Sequence, residues 1–126
     1  MKINNNNQQN FNGKLFVAPN ISDNIIDAIK NSKPVKQILS SPNDLYVGVK
    51  LRLASQNEIY KQGRDDVLTK IYFFIEKPAK SFMDKVRNFF AKKYYLTSQY
   101  HSNSTNLQMI NNEEHMSKIV AKILKK

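Results

Sequence analysis

Two long stretches of alternating apolar and polar residues constrain the fold of this chain more than any other feature. Residues 45–53 read LYVGVKLRL, and residues 67–77 read VLTKIYFFIEK. In a β-strand every second side chain lies on the same face, so each stretch predicts a strand with one buried face. A polar connection, residues 54–66, separates them. Strands that follow each other so directly are expected to pair antiparallel.

The segment before this strand pair predicts one short strand and a helix that breaks in the middle. Leu15 and Val17 alternate with Lys14 and Phe16, which is typical of a strand. Ser22 has the character of an N-cap. Pro34 cannot lie inside an undisturbed helix, so the helix either bends there or resumes from Ser32.

The segment after the strand pair predicts two further helices. Ser81 is the expected N-cap of the first, and residues 94–100 either prolong that helix or form a last edge strand. Residues 101–106, HSNSTN, are expected to be a polar loop. The final helix is expected to start near Asn111, with acidic residues in its first turn and lysines in its last.

These elements predict an α+β fold in the order β-α-β-β-α-(β)-α. The sheet is expected to be antiparallel, with three or four strands and helices mainly on one face. The first five elements resemble the layout of a ferredoxin-like fold such as the RNA-recognition motif. The resemblance is one of layout, because TKIYFFIEK lacks the glycine and aromatic spacing of that family's third strand.

Length and composition indicate one soluble domain. A chain of 126 residues can bury one core without a disulfide or metal, and the sequence contains no cysteine. Residues 1–10, rich in Asn and Gln, are expected to be a disordered leader before a single domain of residues 11–126. No apolar run approaches the roughly 20 residues of a membrane span. We therefore expect a cytoplasmic protein without membrane insertion.

The net charge of +10 suggests an anionic partner, because nucleic-acid binding draws affinity from lysine and arginine contacts to phosphates. Composition provides a second explanation, since 17 of the 20 basic residues are lysine and 16 residues are asparagine. A coding bias toward A and T would produce such a chain without any anionic partner. The basic excess is concentrated in residues 67–126, so an anion-binding surface is expected there.

The strongest candidate site is the second face of the predicted strand pair. It would combine three rings with three cations: Tyr46, Lys50, Arg52, Lys70, Tyr72 and Phe74. Rings can stack on bases while cations hold phosphates, as in sheet-based RNA binders. The alternative is that the last helix crosses this face and buries Tyr72 and Phe74 under Ile119 and Ile123.

The stretch KSFMDKVRNFFAKKYY, residues 80–95, is a second candidate. Its apolar residues fall on one side of a helix and are expected to be core: Phe82, Met83, Val86, Phe89 and Phe90. Its cations form the remaining arc: Lys85, Arg87, Lys92 and Lys93. A solvated face is the leading interpretation of this arc. An anion-binding face is the fallback site, and a membrane-surface helix is the third possibility.

Catalytic and metal-binding patterns are weak. His101 and His115 have neither a serine–acid arrangement nor a second ligand at helical spacing. Asp65 and Asp66 follow a glycine and are explained as turn residues. The expectation is therefore no enzyme activity, no metal site and no cofactor.

Two classes of function remain. The first is a small basic module that binds RNA or single-stranded DNA through the basic and aromatic sheet face. The second is a protein-interaction or assembly module whose lysine-rich charge is incidental. Salt dependence separates them, because phosphate contacts predict a steep loss of affinity as salt rises.

Overall fold

The computed structural model describes residues 13–57, 59, 67–76, 81–89 and 91–125, with the backbone alone at 88 and 89. It confirms the α+β class, with a four-stranded sheet and five helices in the described residues. In chain order the elements are β1 (Leu15–Val17), α1 (Asp23–Asn31), α2 (Lys33–Leu39), β2 (Asp44–Leu53), β3 (Val67–Glu76), α3 (Phe82–Phe89), β4 (Tyr94–Tyr95), α4 (Asn103–Asn111) and α5 (Glu113–Lys125). The leader predicted for residues 1–10 lies outside the described residues.

The strands lie in the order β1-β2-β3-β4. β2 pairs antiparallel with β3 and β3 with β4, but β1 runs parallel to β2, so the sheet is mixed where an all-antiparallel sheet was expected. The reason is the helical connection through α1 and α2, which returns the chain to the end of the sheet where β1 began. The likeness to the ferredoxin-like layout is limited to the order of elements along the chain, because β1 here adjoins β2 directly.

The β2–β3 ladder sorts side chains onto two faces. Its register runs unbroken from Asp44 opposite Glu76 to Leu53 opposite Val67. On one face Val47 lies opposite the buried Phe73. On the other face Tyr46 lies opposite Phe74. The second of these surfaces is called the open face below.

Four helices cover the core side of the sheet. The core cluster joins Leu45, Val47, Ile71 and Phe73 with buried residues of α1, α2, α4 and α5. Ile119 and Ile123 of α5 belong to this cluster. The last helix therefore packs on the core side, and the alternative in which it covers Tyr72 and Phe74 is wrong.

Helix α3 leaves two residues of the expected buried stripe in solvent. Phe82 is 77% exposed and Met83 is 57% exposed, and none of the described side chains of α3 belongs to the core cluster. The other four helices cover the core side, so amphipathic spacing alone did not bury these two residues. The side chain of Phe89 and the whole of Phe90 lie outside the described residues. None of the described helices combines the length and apolar character needed to cross a membrane.

Helix α4 replaces most of the polar loop expected at residues 101–106. Ser102 is its N-cap and accepts a hydrogen bond from the Thr105 amide. Asn106 is buried, and its Nδ2 donates to the Thr69 hydroxyl at 2.7 Å. The helix was missed because a buried asparagine occupies the position where a helical pattern usually has an apolar residue. The following helix, α5, begins with the Asn112 carboxamide accepting from the His115 amide.

The start of the parallel strand pair should be sensitive to substitution of Gly13. A Cβ at this position would fall on the Asn43 carbonyl, and the Gly13 amide donates to the Leu39 carbonyl at 3.2 Å. Gly13→Ala is expected to lower the free energy of unfolding by about 1–3 kcal/mol, a typical cost of overpacking. Chemical denaturation measures this, with the exposed Lys14→Ala as the control. A Gly13→Ala protein as stable as the wild type would contradict the close approach of these two segments.

Candidate functional site

A row of aromatic rings crosses the open face from the β1 edge. The Phe16 and Tyr46 ring centroids are 4.7 Å apart with planes 17° from parallel, and those of Tyr46 and Phe74 are 5.0 Å apart at 9°. At these distances near-parallel rings stack on one another. Their shared ring faces are therefore already in contact, which leaves the outer face of Phe16 on the edge strand. Phe16 is 41% exposed.

Tyr72 continues the row, but its ring leans across β2. Gly48 lies opposite it on β2, and a Cβ at Gly48 would collide with the Tyr72 ring. The missing side chain therefore makes space for the ring to lean across β2. The Tyr72 centroid is 6.3 Å from that of Phe74 and 5.7 Å from that of Tyr95, whose plane is tilted by 57°. Tyr72 and Tyr95 are both partly exposed.

Four lysine side chains reach over rings near β4. The Lys70 and Lys50 ammonium groups lie 4.6 Å and 5.3 Å from the Tyr95 centroid, and that of Lys93 lies 4.8 Å from the Tyr72 centroid. Lys92 is 5.2 Å from the Tyr94 ring, on the other side of β4. Such cation–π contacts hold the charges at the surface of the rings without neutralising them.

Arg52 and Tyr100 extend this basic end of the open face. The Arg52 guanidinium lies 5.1 Å from the Tyr100 centroid, and the Lys70 ammonium lies 5.5 Å from the same ring. Tyr100 follows β4 in the chain and was not among the predicted site residues. Its position over the end of the strand pair follows from the bridge between Thr69 and His101.

The register also places two like charges directly opposite each other, Lys50 and Lys70. Such a pair is unfavourable across a sheet unless an opposing group compensates it. Part of the compensation comes from Tyr95, because the Lys50 ammonium lies close to its ring and interacts with its hydroxyl. This interaction lowers the pKa of Tyr95 from its usual value and raises the pKa of Lys50. An anion bound between the two ammonium groups would compensate them further.

The opposite end of the open face is acidic. Asp44 and Glu76 are paired in the ladder at the ends of β2 and β3. Burial, together with the nearby negative charge of Glu76, raises the pKa of Tyr46. The Asp44 carboxylate accepts from the Lys14 amide at 2.9 Å. The open face thus runs from carboxylates, through the ring row, to lysines.

All six residues predicted for the sheet site lie on the open face. The structure adds Phe16, Tyr95, Tyr100 and Lys93 to them. The alternation of Phe16 with Leu15 and Val17 indicated that Phe16 lies on the opposite face of β1 from these two residues. The sequence did not indicate which strand β1 would pair with. Nothing in the sequence pattern indicated where Tyr95 and Tyr100 would lie.

The fallback set of cations is divided between two places. Lys85 and Arg87 are exposed on α3, where Arg87 forms an ion pair with Asp84. Lys92 and Lys93 lie beside β4 and contact the rings of the sheet. Of the four fallback cations, Lys93 therefore contributes to the basic end of the open face, and Lys92 lies at the edge of that face.

The described residues contain no group of three or more histidines, aspartates or glutamates arranged to hold a metal ion. The predicted turn residues Asp65 and Asp66 lie outside the described residues. His115 has a structural contact, because its Nε2 donates to the Leu96 carbonyl at 2.7 Å. Leu96 in turn donates its amide to Ile71, so this histidine ties α5 to β4 and β3.

Comparison with protein-family models, curated proteins and solved structures finds no match to this chain. A fold shared with proteins of known activity would in any case leave the site to be argued separately. The chemistry of the open face therefore carries the functional argument.

The Lys50–Tyr95 contact predicts that Tyr95 has a lowered pKa and therefore ionises at a lower pH than an ordinary tyrosine. Tyrosinate absorbance during a pH titration should contain a component with a pKa below 10.0, and Tyr95→Phe should remove it. Lys50→Met should move that component to higher pH, because the ammonium no longer stabilises the tyrosinate. Lys118→Met, an exposed change on α5, is the control. An unchanged titration in Lys50→Met would contradict the contact.

The Gly48–Tyr72 contact predicts a substitution that disturbs the ring row without unfolding the protein. Gly48→Ala should displace the Tyr72 ring, since the added methyl meets the end of a side chain that can move. The free energy of unfolding should change by less than about 1 kcal/mol, because alanine favours a strand more than glycine does. NMR shifts of Tyr72 and Tyr95 measure the displacement. Unchanged shifts would show that the ring does not lie over Gly48.

Proposed function

We propose that this protein is a non-enzymatic module that binds RNA or single-stranded DNA through the open face. The observation that carries the proposal is the row of rings crossing all four strands, with the cations Lys50, Lys70 and Lys93 at one end. Single-strand binders combine aromatic stacking surfaces with a positively charged path for the backbone.

The ring geometry limits where bases can stack. Phe16, Tyr46 and Phe74 already stack on one another, so the faces open to a base are the outer face of Phe16 and the face of Tyr72 beneath Lys93. A base arriving on Tyr72 would release the Lys93 ammonium to a phosphate. The proposal therefore assigns stacking mainly to Tyr72 and Phe16, while Tyr46 and Phe74 support the row.

The charge gradient orients the backbone. Phosphates are repelled by Asp44 and Glu76 and attracted by Lys50 and Lys70 at the opposite end of the ladder. A single strand fits this face because its unpaired bases can turn toward the rings while its phosphates lie near the lysines. A duplex keeps its bases stacked internally and offers only phosphates to the rings.

One observation favours the second candidate, a protein-interaction module. Helix α3 exposes Phe82 and Met83, and neither residue is part of the core cluster. Adjacent exposed apolar side chains are typical of a contact surface. On this reading the protein would show no salt-sensitive affinity for nucleic acid, and Phe82→Ser would abolish its association with a protein partner.

Tyr72→Ala should weaken binding of oligothymidylate and oligouridylate about tenfold or more, since stacking of a base on a ring is worth about 1–3 kcal/mol. Binding of a duplex of equal length should be nearly unchanged. Fluorescence anisotropy measures both affinities. Phe82→Ala is the matched control, because it removes an exposed ring that is not part of the stacked row. Equal losses in the two variants would exclude a stacking role for Tyr72.

Salt dependence provides an independent measurement on the wild-type protein. For a short oligonucleotide that covers the open face alone, phosphate contacts by Lys50, Lys70 and Lys93 predict a log–log slope of about −2, since each contact to a single strand contributes about 0.7. Lys70→Met should reduce the magnitude of that slope by about 0.7. An absence of binding at low salt would overturn the proposed function and favour the protein-interaction module.

A further inference from the structure

A groove lies between the β4 edge of the sheet and helix α5. Its volume is about 760 Å³. Its lining combines two rings, one isoleucine and four lysines: Tyr94, Tyr95, Ile119, Lys92, Lys93, Lys122 and Lys125. The hydrogen bond from His115 to the Leu96 carbonyl, 2.7 Å long, holds α5 beside β4 and so maintains the two walls.

The groove carries a concentrated positive charge. Its described lining includes four lysines and no aspartate or glutamate. Lys122 and Lys125 are three residues apart on one side of α5, where they also complement the negative end of the helix dipole. Lys92 and Lys93 belong to a different element and have no such role. Cations from two elements that face one cavity attract an anion.

The groove is continuous with the open face. Tyr95 lines the groove, and its ring lies 5.7 Å from Tyr72 in the ring row. Lys93 also belongs to both, since its ammonium lies 4.8 Å from the Tyr72 centroid. A chain that leaves the row beyond Tyr72 therefore meets Tyr95 and then the groove.

We propose that the groove binds the backbone phosphates of the nucleotides next to those stacked on the open face. One single strand would then run across the ring row, over the β4 edge and along α5. This inference rests on the proposed function and adds a second, purely electrostatic subsite to it. Lys122 and Lys125 contact phosphates in this subsite, and Tyr95 is the point where the strand turns.

An acidic peptide is the competing occupant, and the edge strand argues against it. Peptides that add to a sheet gain affinity mainly from a row of main-chain hydrogen bonds. β4 comprises only Tyr94 and Tyr95, so it has few backbone groups to offer. A phosphate backbone needs only the lysine ammonium groups.

The test uses oligothymidylates of about 4 and about 16 nucleotides, the range of lengths that small single-strand modules cover. Lys122→Glu/Lys125→Glu should weaken binding of the longer oligonucleotide at least tenfold and that of the shorter one less than twofold. Lys122→Gln/Lys125→Gln should reduce the log–log salt slope for the longer one by about 1.4, or about 0.7 for each lost phosphate contact. Both positions are exposed, so the fold is expected to persist, and circular dichroism verifies this.

Lys30→Glu/Lys33→Glu is the matched control, because it changes the net charge equally at exposed positions on α1 and α2. It should weaken both oligonucleotides less than twofold. Equal losses in the groove variant and this control, or equal losses for both lengths, would overturn the groove subsite and leave the open-face proposal standing. Binding of neither length by the wild type would overturn both. Displacement of the long oligonucleotide by polyglutamate but not by polyphosphate would assign the groove to a peptide.

Discussion

The antiparallel pairing of β2 with β3 is the constraint on which the rest of the structure depends. Its unbroken register assigns Val47 and Phe73 to the core and Tyr46 and Phe74 to the open face. A slip of one residue would exchange the two sets and expose the core. The same pairing that buries the apolar residues therefore also assembles the rings and cations. A change in the register of this ladder would therefore disrupt both the core and the candidate site.

The open face imposes costs on the folded state that the core has to offset. Lys50 and Lys70 repel each other across the ladder, and rings that could be buried remain partly in water. Stacking of Phe16, Tyr46 and Phe74, and cation–π contacts at Tyr95, recover part of that free energy. Such unfavourable features persist where a ligand compensates them, which agrees with an anion-binding role for this end of the sheet.

The placement of the last two helices keeps the open face accessible. The buried Asn106 bonds α4 to Thr69, and His115 bonds α5 to Leu96. Both bonds draw these helices onto the core side and the β4 edge. The same arrangement forms the lysine groove between α5 and β4. The accessibility of the ring row and the presence of the groove therefore have the same cause. On α3, Phe82 and Met83 remain in solvent.

The amino-acid sequence by itself determined the α+β class, the two long strands and which six residues share the open face, because alternation with period two is a local property of the chain. Only the tertiary structure decided that β1 runs parallel beside β2, which brings Phe16 onto Tyr46. It also decided that α5 packs on the core side and that Phe82 and Met83 of α3 stay exposed. Helix α4 was not predicted because its buried Asn106 uses its Nδ2 to bond Thr69, a residue 37 positions away in sequence. Contacts between distant segments depend on the relative direction of the strands and on which helices pack against the core. A local sequence pattern predicts neither of these.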